Sequence, residues 1–392
     1  MSLRGFISQC LNLMSENIIS DWDITAEKQS KLLYSFKEPK DLIDRAFCQF
    51  CCHKLFFPKG SLIKKNIISA FVAPFYLLLA LCKKKKAQDI YVDAIGTFGD
   101  MKEIIPISLQ KQYKINNDIW SYAFSLNFSD ISFLWKIWIR HPLSPYFFLK
   151  CMMNTSRYSH IISLYSPNAI IEHAEYSFTS SIKTAYCRRK KVKHINVMHG
   201  EKRLLIRDSF FEYDICYVWD EFYINLFSYM RCPVSQFVVE VPPSLQIDKE
   251  KHQNPMAYAD VKYYLWEDNL SSLKTIVESM KIFKNVGLLV KYRPHPRWCK
   301  TENLLKVMNK EDIEDVSSID IVTSLANVRY VVGFGTTVLY QAYMSHIAVI
   351  IDDVTYYDKY VVSKEKRYHL VEVGLPRLSS LKVEDVIQNP VN

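Results

Sequence analysis

Glycine is scarce in this chain, nine in 392 residues, and two of the nine precede residue 86. No repeat, low-complexity segment or glycine-rich linker interrupts it. At roughly 100–200 residues per domain, that length predicts two folded domains. Zinc-finger, helix-turn-helix and RNA-recognition signatures are missing, which argues against a nucleic acid partner. A Gly-Lys-Ser/Thr ending is missing as well, which excludes a Walker phosphate loop. The chain opens without a secretory signal, and its ten cysteines follow no regular spacing. Reduced thiols in the cytoplasm are therefore expected, without a disulfide framework. Asp-x-Asp, the usual holder of a divalent metal beside a nucleotide, occurs only as "DWD", Asp21–Asp23, before a helical run from Thr25. It reads as a helix cap, and no metal is expected.

What the chain has in excess is positive charge. Fifty lysines and arginines face 41 acids, for a formal charge of +9, which suits a surface that meets phosphates or anionic lipid. The cluster "CQFCCH", Cys48 to His53, lacks a second ligand pair and reads as cysteines on a buried helix. The most apolar stretch, "IISAFVAPFYLLLALCKKKK", runs from Ile67 to Cys82 before its lysines, 16 residues interrupted by Pro74. That is short of the roughly 20 a spanning helix needs. Two readings remain open: a buried helix, or an interfacial segment whose Lys83–Lys86 run touches acidic headgroups on the inner face of the cytoplasmic membrane.

The first 85 or so residues read as helical. Beyond them, β-rich runs alternate with helical stretches: "DIYVDAIG" from 89, "IISLYSPNAIIEHAEYS" from 161, "KHINVMHG" from 193 and "ICYVWD" from 215. A polar, proline-bearing pause near 243 precedes a second series, "KYYLW", "VGLLVKY", "VRYVVGF" and "IAVIID". The alternation predicts parallel α/β sheets in two domains, 1–242 and 243–392, with a helical amino-terminal region. Aromatic runs such as "FLWKIWIR" and "YYLW" read as core or domain-interface packing.

Two stretches carry chemistry. In "LLVKYRPHPRW", Pro294 and Pro296 restrict the backbone on both sides of His295, at the carboxyl end of a strand where ligands of open parallel sheets sit. The imidazole and a fork of donors from Arg293 or Arg297 suit a phosphate. In "VRYVVGFGTTVLYQAYM", a strand runs into Gly333 and Gly335, and Thr336 and Thr337 open a helix whose amino terminus suits an anion. A base for deprotonating a hydroxyl could come from Glu172 or Glu175 in "IIEHAEYS", or from His199 in "HINVMHGEK".

The pairing of "RPHP" with "GFGTTV" resembles the two signatures shared by bacterial sialyltransferases and polysialyltransferases, GT-B glycosyltransferases whose two Rossmann-like domains face each other across a cleft. The resemblance implies that His295 and Thr336–Thr337 hold the phosphate of a CMP-activated sugar without metal or other cofactor; with Arg293, Gly333 and Gly335, read from the two stretches themselves, they form the expected nucleotide site. It also implies that the amino-terminal domain binds a glycan or glycolipid acceptor, and that a nonulosonic acid such as sialic acid passes to a surface glycan, capsule or lipopolysaccharide. The third signature of that family, an acidic pair before glycine, is missing; "EDN" at Glu267–Asn269 opens a helix and reads as a cap. The "MHG" turn resembles a second GT-B family, the CDP-glycerol or CDP-ribitol phosphotransferases of teichoic-acid type. There His199 would be the base and His295 the phosphate ligand, although "GFGTTV" stands where that family has Asp-Tyr-Ser-Ser. A non-catalytic scaffold or polyanion-binding protein is the alternative of another class.

Overall fold

The computed structural model describes residues 19–83, 91–99, 102–119 and 123–382. The chain divides into two compact units, Met1–His199 with Leu204–Glu240, and Gly200–Arg203 with Val241–Asn392. Residues 200–203 thus belong with the second unit although they lie inside the first in sequence.

The first unit opens with helices α1 (Ala26–Ser35), α2 (Leu42–His53) and α3 (Ser61–Cys82). Thr25, not "DWD", caps α1 by accepting the Lys28 amide at 3.2 Å, and Asp21–Asp23 forms a 3-10 turn just upstream. The cysteine cluster lies on α2, where burial pushes the Cys52 thiol up to about 12. There follow β1 (Ala94–Gly96), α4 (Ile107–Gln112), β2 (Ile115–Asn116), α5 (Phe128–Arg140), α6 (Pro145–Tyr165), β3 (Ala169–Glu172), α7 (Ser180–Arg189), β4 (Lys193–Val197), β5 (Ile215–Val218), α8 (Glu221–Tyr229) and β6 (Phe237–Val239).

The segment from 161, expected to be β-rich throughout, is divided: Ile161–Tyr165 ends α6, and β3 starts only at Ala169. Ser166, in the left-handed region at φ 42°, and Pro167 end the helix between them. Nor does Pro74 break α3, which runs unbroken through it. Lys84–Lys86 and the first two residues of "DIYVDAIG" lie outside the described residues.

The second unit contains β7 (Ala259–Tyr264), α9 (Leu270–Lys284), β8 (Val290–Arg293), α10 (Thr301–Leu304), α11 (Ile321–Ala326), β9 (Val328–Gly333), α12 (Thr337–Met344), β10 (Ala348–Ile351), α13 (Tyr357–Glu365) and α14 (His369–Glu372). "EDN" does cap: Asn269 accepts the amides of Ser271 and Ser272 ahead of α9.

Both sheets are parallel throughout, with strand orders β2-β1-β3-β4-β5-β6 and β10-β9-β7-β8. In each, the first strand is flanked by the second and third, so the chain winds outward in opposite directions from it. Such a reversal leaves a crevice at the carboxyl ends of the first and third strands, where ligands of doubly wound sheets bind. Expectation and structure agree on fold class: α/β, two parallel sheets and a helical amino-terminal region.

Each sheet is pinned by a charge cluster buried against it. In the second unit Glu314 accepts from Lys262 Nζ, Arg293 Nη1 and Ser324 Oγ, each at 2.6 Å. Lys262 is inaccessible to solvent, and burial lowers its pKa. Breaking a buried ion pair by removing one partner costs about 3–5 kcal/mol, because the remaining charge is left unpaired. Glu314→Gln, which keeps the shape and strands two cations, should therefore destabilise the second unit by about 3 kcal/mol or more. Urea unfolding followed by a probe in that unit is the check; a change under about 1 kcal/mol contradicts the account.

Candidate functional site

The second unit's crevice lies between the loops that follow β7 and β9. β9 ends at Gly333, where an added Cβ would stand 3.1 Å from the Tyr264 carbonyl oxygen of β7; the close strand contact needs glycine. Gly335, two residues on, adopts φ +67°, a conformation that costs an L-residue roughly 1 kcal/mol or more. Thr336 then caps α12, its Oγ1 accepting the Val338 amide at 3.3 Å. Thr337 occupies the first helical position and is exposed. The Leu339 amide reaches the Thr336 carbonyl at 3.1 Å, and the helix dipole adds positive potential at this end.

The "RPHP" loop leaves the same edge. Tyr264 of β7 pairs with Arg293 of β8 on one side and with Gly333 of β9 on the other. One strand therefore separates the two loops, which start about 10 Å apart. His295 is half-buried, and its Nδ1 accepts the Arg297 amide at 3.1 Å. That bond puts the proton of the neutral ring on Nε2, leaving a donor for an anion. Burial, with the Arg297 charge second, lowers the His295 pKa, so the ring is neutral near pH 7.

Arg293 does not serve as expected. Its guanidinium is buried, bound to Glu314 and, through Nη2, to the Ile319 carbonyl at 2.9 Å. Like Tyr292 before it, this last residue of β8 is buried. Arg297, the other arginine of the loop, is exposed and enters no ion pair among the described residues, so the fork of donors falls to it.

Sequence reasoning missed the wall behind this loop pair. Trp266 follows β7, and its ring is 3.8 Å from where a Gly335 Cβ would be. Tyr356 meets Trp266 edge-on at 5.7 Å and stacks on Phe334 at 5.7 Å, while Lys359 Nζ sits 4.0 Å from the Trp266 ring centre. The one signal was "YYLW" at a strand end, and there the packing reading holds for Tyr263, Tyr264 and Leu265, whereas Trp266 stays partly accessible.

The first unit has its own carboxyl-edge cluster. Phe98, after β1, stacks on His173, after β3, at 5.5 Å, and His173 meets His199, after β4, edge-on at 5.6 Å. Phe98 and His173 thus flank that sheet's crevice. His199 is exposed, and Gly200 beyond it turns at φ +73°. Glu175 is buried beside them; Asn196 of β4 donates to its carboxylate at 3.3 Å and accepts the Ala174 amide at 2.9 Å.

Glu172, offered as a base with Glu175 and His199, has another job. It is the last residue of β3 and faces the interior, where Lys183 Nζ donates at 2.6 Å and the hydroxyls of Tyr158 and Tyr213 at 2.9 and 3.1 Å. His194 stands 3.2 Å away. Burial alone would raise this carboxyl, yet the Lys183 ammonium, with His194, holds it far below the usual carboxylate range. A carboxylate that strongly ionised, with its oxygens occupied, is a counter-ion for Lys183 and a poor proton acceptor.

No protein family matches the sequence, and no curated protein does either. Among solved structures, the chain is similar to a UDP-GlcNAc 2-epimerase from Methanocaldococcus jannaschii solved with UDP-GlcNAc and UDP, at 14% identity over 75% of this chain and 93% of that one, with a TM-score of 0.39. The glycotransferase of kitacinnamycin matches at 9% identity over 76% and 89%, TM-score 0.41. The wall teichoic acid polymerase TagF matches at 11% over 78% and 82%, TM-score 0.37. Overlaps this loose add nothing to the strand orders described above.

The tautomer and pKa of His295 are open to direct test. Its titration, followed by NMR of the ring protons, should have a midpoint below 6.5, and inorganic phosphate should raise that midpoint because an adjacent anion favours the imidazolium. A midpoint at or above 6.5 without phosphate contradicts the local geometry.

Proposed function

We propose that this chain is a GT-B-like glycosyltransferase whose second unit holds the phosphate of a nucleotide-activated sugar. The observation that carries this reading is the emergence of the His295–Arg297 loop and the Gly335–Thr337 turn from one sheet edge, a single strand apart. His295 Nε2–H, the Arg297 guanidinium and the Thr337 hydroxyl, beside the positive end of the α12 dipole, are donors of the kind that stabilise charge on a departing phosphate. In this reading the first unit binds a glycan or glycolipid acceptor, and His199, exposed beside His173, takes the proton of the attacking hydroxyl. No residue in this scheme needs a metal or other cofactor.

The finer assignment is a CMP-activated nonulosonic acid passed to a bacterial surface glycan by a cytoplasmic enzyme. It rests on the "RPHP" and "GFGTTV" pair and on the positive net charge. A second reading, transfer from a CDP-activated polyol phosphate, is favoured by the exposed His199 followed by a left-handed Gly200. Both readings require a cytidine nucleotide.

A melting-temperature series with CMP, CDP, UDP and GDP tests that requirement, since a ligand bound to the folded state raises the midpoint with its saturation. CMP or CDP should stabilise the protein, and stabilisation by UDP or GDP alone removes the cytidine assignment. His295→Ala and Arg297→Ala should each weaken nucleotide binding by roughly 10–100-fold, the value of one charge-assisted hydrogen bond, with little change in melting of the unliganded protein. His199→Ala should instead spare nucleotide binding and abolish release of CMP in the presence of donor and acceptor.

A further inference from the structure

Helix α3 buries a stripe of small and hydroxyl-bearing residues and exposes large apolar ones. Its buried stripe is Ser61, Lys65, Ser69, Val72, Ala73, Tyr76 and Ala80, with Lys65 and Tyr76 each only 4% exposed. Tyr76 Oη lies 2.7 Å from Ser156 Oγ of α6, and Lys65 Nζ sits over the rings of Phe57 and Tyr146. The opposite stripe, which carries the more apolar residues, is turned out: Ile63, Ile67, Phe71, Phe75 and Leu78, with Phe71 68% exposed. Of the two readings left open for this stretch, the buried helix therefore fails for its most hydrophobic face. A helix in water turns its apolar stripe inward, and the reverse pattern marks a surface whose natural neighbour is apolar.

The neighbouring helix α5 buries Phe133, Leu134 and Ile137 yet also carries apolar residues on its outer face. Phe128, Ile131, Trp135 and Ile139, at intervals of three and four residues, are exposed, Trp135 at 60%. "FLWKIWIR" is thus core on one side only. Between α3 and α5 runs a groove of ≈ 360 Å³ lined by side chains such as Ala70, Leu77, Trp135 and Phe148, none of them charged. On the other flank of α5 lies a cavity of ≈ 720 Å³ that collects Lys40, Arg45, Lys136, Arg140, Arg188 and Arg189 against Asp41 and Glu212. From Lys59 to Lys86 the sequence contains seven lysines and no acid; Lys59, Lys64 and Lys83 are exposed, Lys65 is buried, and Lys84–Lys86 lie outside the described residues.

We propose that α3 and α5 seat the protein in the interfacial layer of an anionic phospholipid bilayer, apolar faces among the acyl chains and the flanking lysines and arginines among the headgroups. Charge decides the occupant. An apolar face bordered by an acid-free, lysine-rich segment and a basic cavity complements anionic headgroups, whereas a second copy would bring the same positive charge against itself. The helix lies in the plane of the interface and does not cross it, because its other face is held in the protein by Tyr76 and Lys65. By length and composition alone α3 is long and apolar enough to span. This placement is independent of the catalytic reading above.

The test is co-sedimentation of the full chain with extruded vesicles, either of phosphatidylcholine or with about 30 mol % phosphatidylglycerol added. The double variant Phe71→Glu/Trp135→Glu is compared with Met256→Glu, which changes an exposed apolar residue of the second unit. Wild type and Met256→Glu should pellet with anionic vesicles, less so as salt rises, while the double variant should bind at least roughly tenfold more weakly. Its circular dichroism, melting temperature and nucleotide-induced stabilisation should stay unchanged, which separates loss of docking from loss of fold or of the donor site. Equal pelleting of the double variant and wild type overturns the proposal, as does equal pelleting with neutral and anionic vesicles. A wild type that ignores vesicles but sediments as a dimer, made monomeric by the double variant, assigns the face to a second copy instead.

Discussion

Everything at the carboxyl edge of the second sheet depends on the parallel ladder that gives β7 two partners. Because Tyr264 is in register with both Arg293 and Gly333, the loops that follow β8 and β9 begin at one height, with a single strand between them. An antiparallel partner on either side would send one loop to the opposite edge, and no choice of residues in "RPHP" or "GFGTT" could compensate. Gly333 guards the ladder itself, since a methyl there would press on the Tyr264 carbonyl. The local devices come second: a backbone amide that orients the His295 ring, a left-handed glycine that starts α12, and a threonine cap that leaves the next hydroxyl exposed.

The charged residues nearest the strand ends sort into two kinds. Glu172 and Arg293 are the last residues of their strands, and both turn inward to saturate a buried counter-ion. His199 and Arg297 lie just past strand ends and are exposed. Both kinds stand at or soon after the carboxyl ends of strands. The difference is position relative to the ladder: Glu172 and Arg293 end strands whose adjacent residues, Ile171 and Tyr292, are buried with them, while His199 and Arg297 sit in the loops beyond. Lys183 and Glu314, the partners that claim Glu172 and Arg293, are 11 and 21 residues away, with nothing in the sequence to mark them.

The helical region shows the same limit from the other side. Hydrophobic periodicity locates α3 and α5 but is silent on which face of each meets the protein, since a helix apolar almost all round, such as α3, has no preferred inside. The stripe that α6 accepts is the one with small and hydroxyl-bearing residues, because Ser69, Ala73 and Ala80 permit close approach and Tyr76 finds Ser156. Packing against α6 therefore chose the less hydrophobic side and left Phe71 and its neighbours outward.

The sequence by itself determined the fold class, the alternation of strands and helices, and the two loops that carry His295 and Thr336–Thr337, because these follow from local apolar runs, proline and glycine restraints and capping residues close to one another in the chain. Tertiary structure alone decided the strand orders and hence the crevices, the burial of Glu172 and Arg293, the meeting of Phe98, His173 and His199, the Trp266 wall and the outward face of α3. Each of these joins residues far apart along the chain or sets the direction of a side chain, and both depend on pairing and packing that no local pattern encodes.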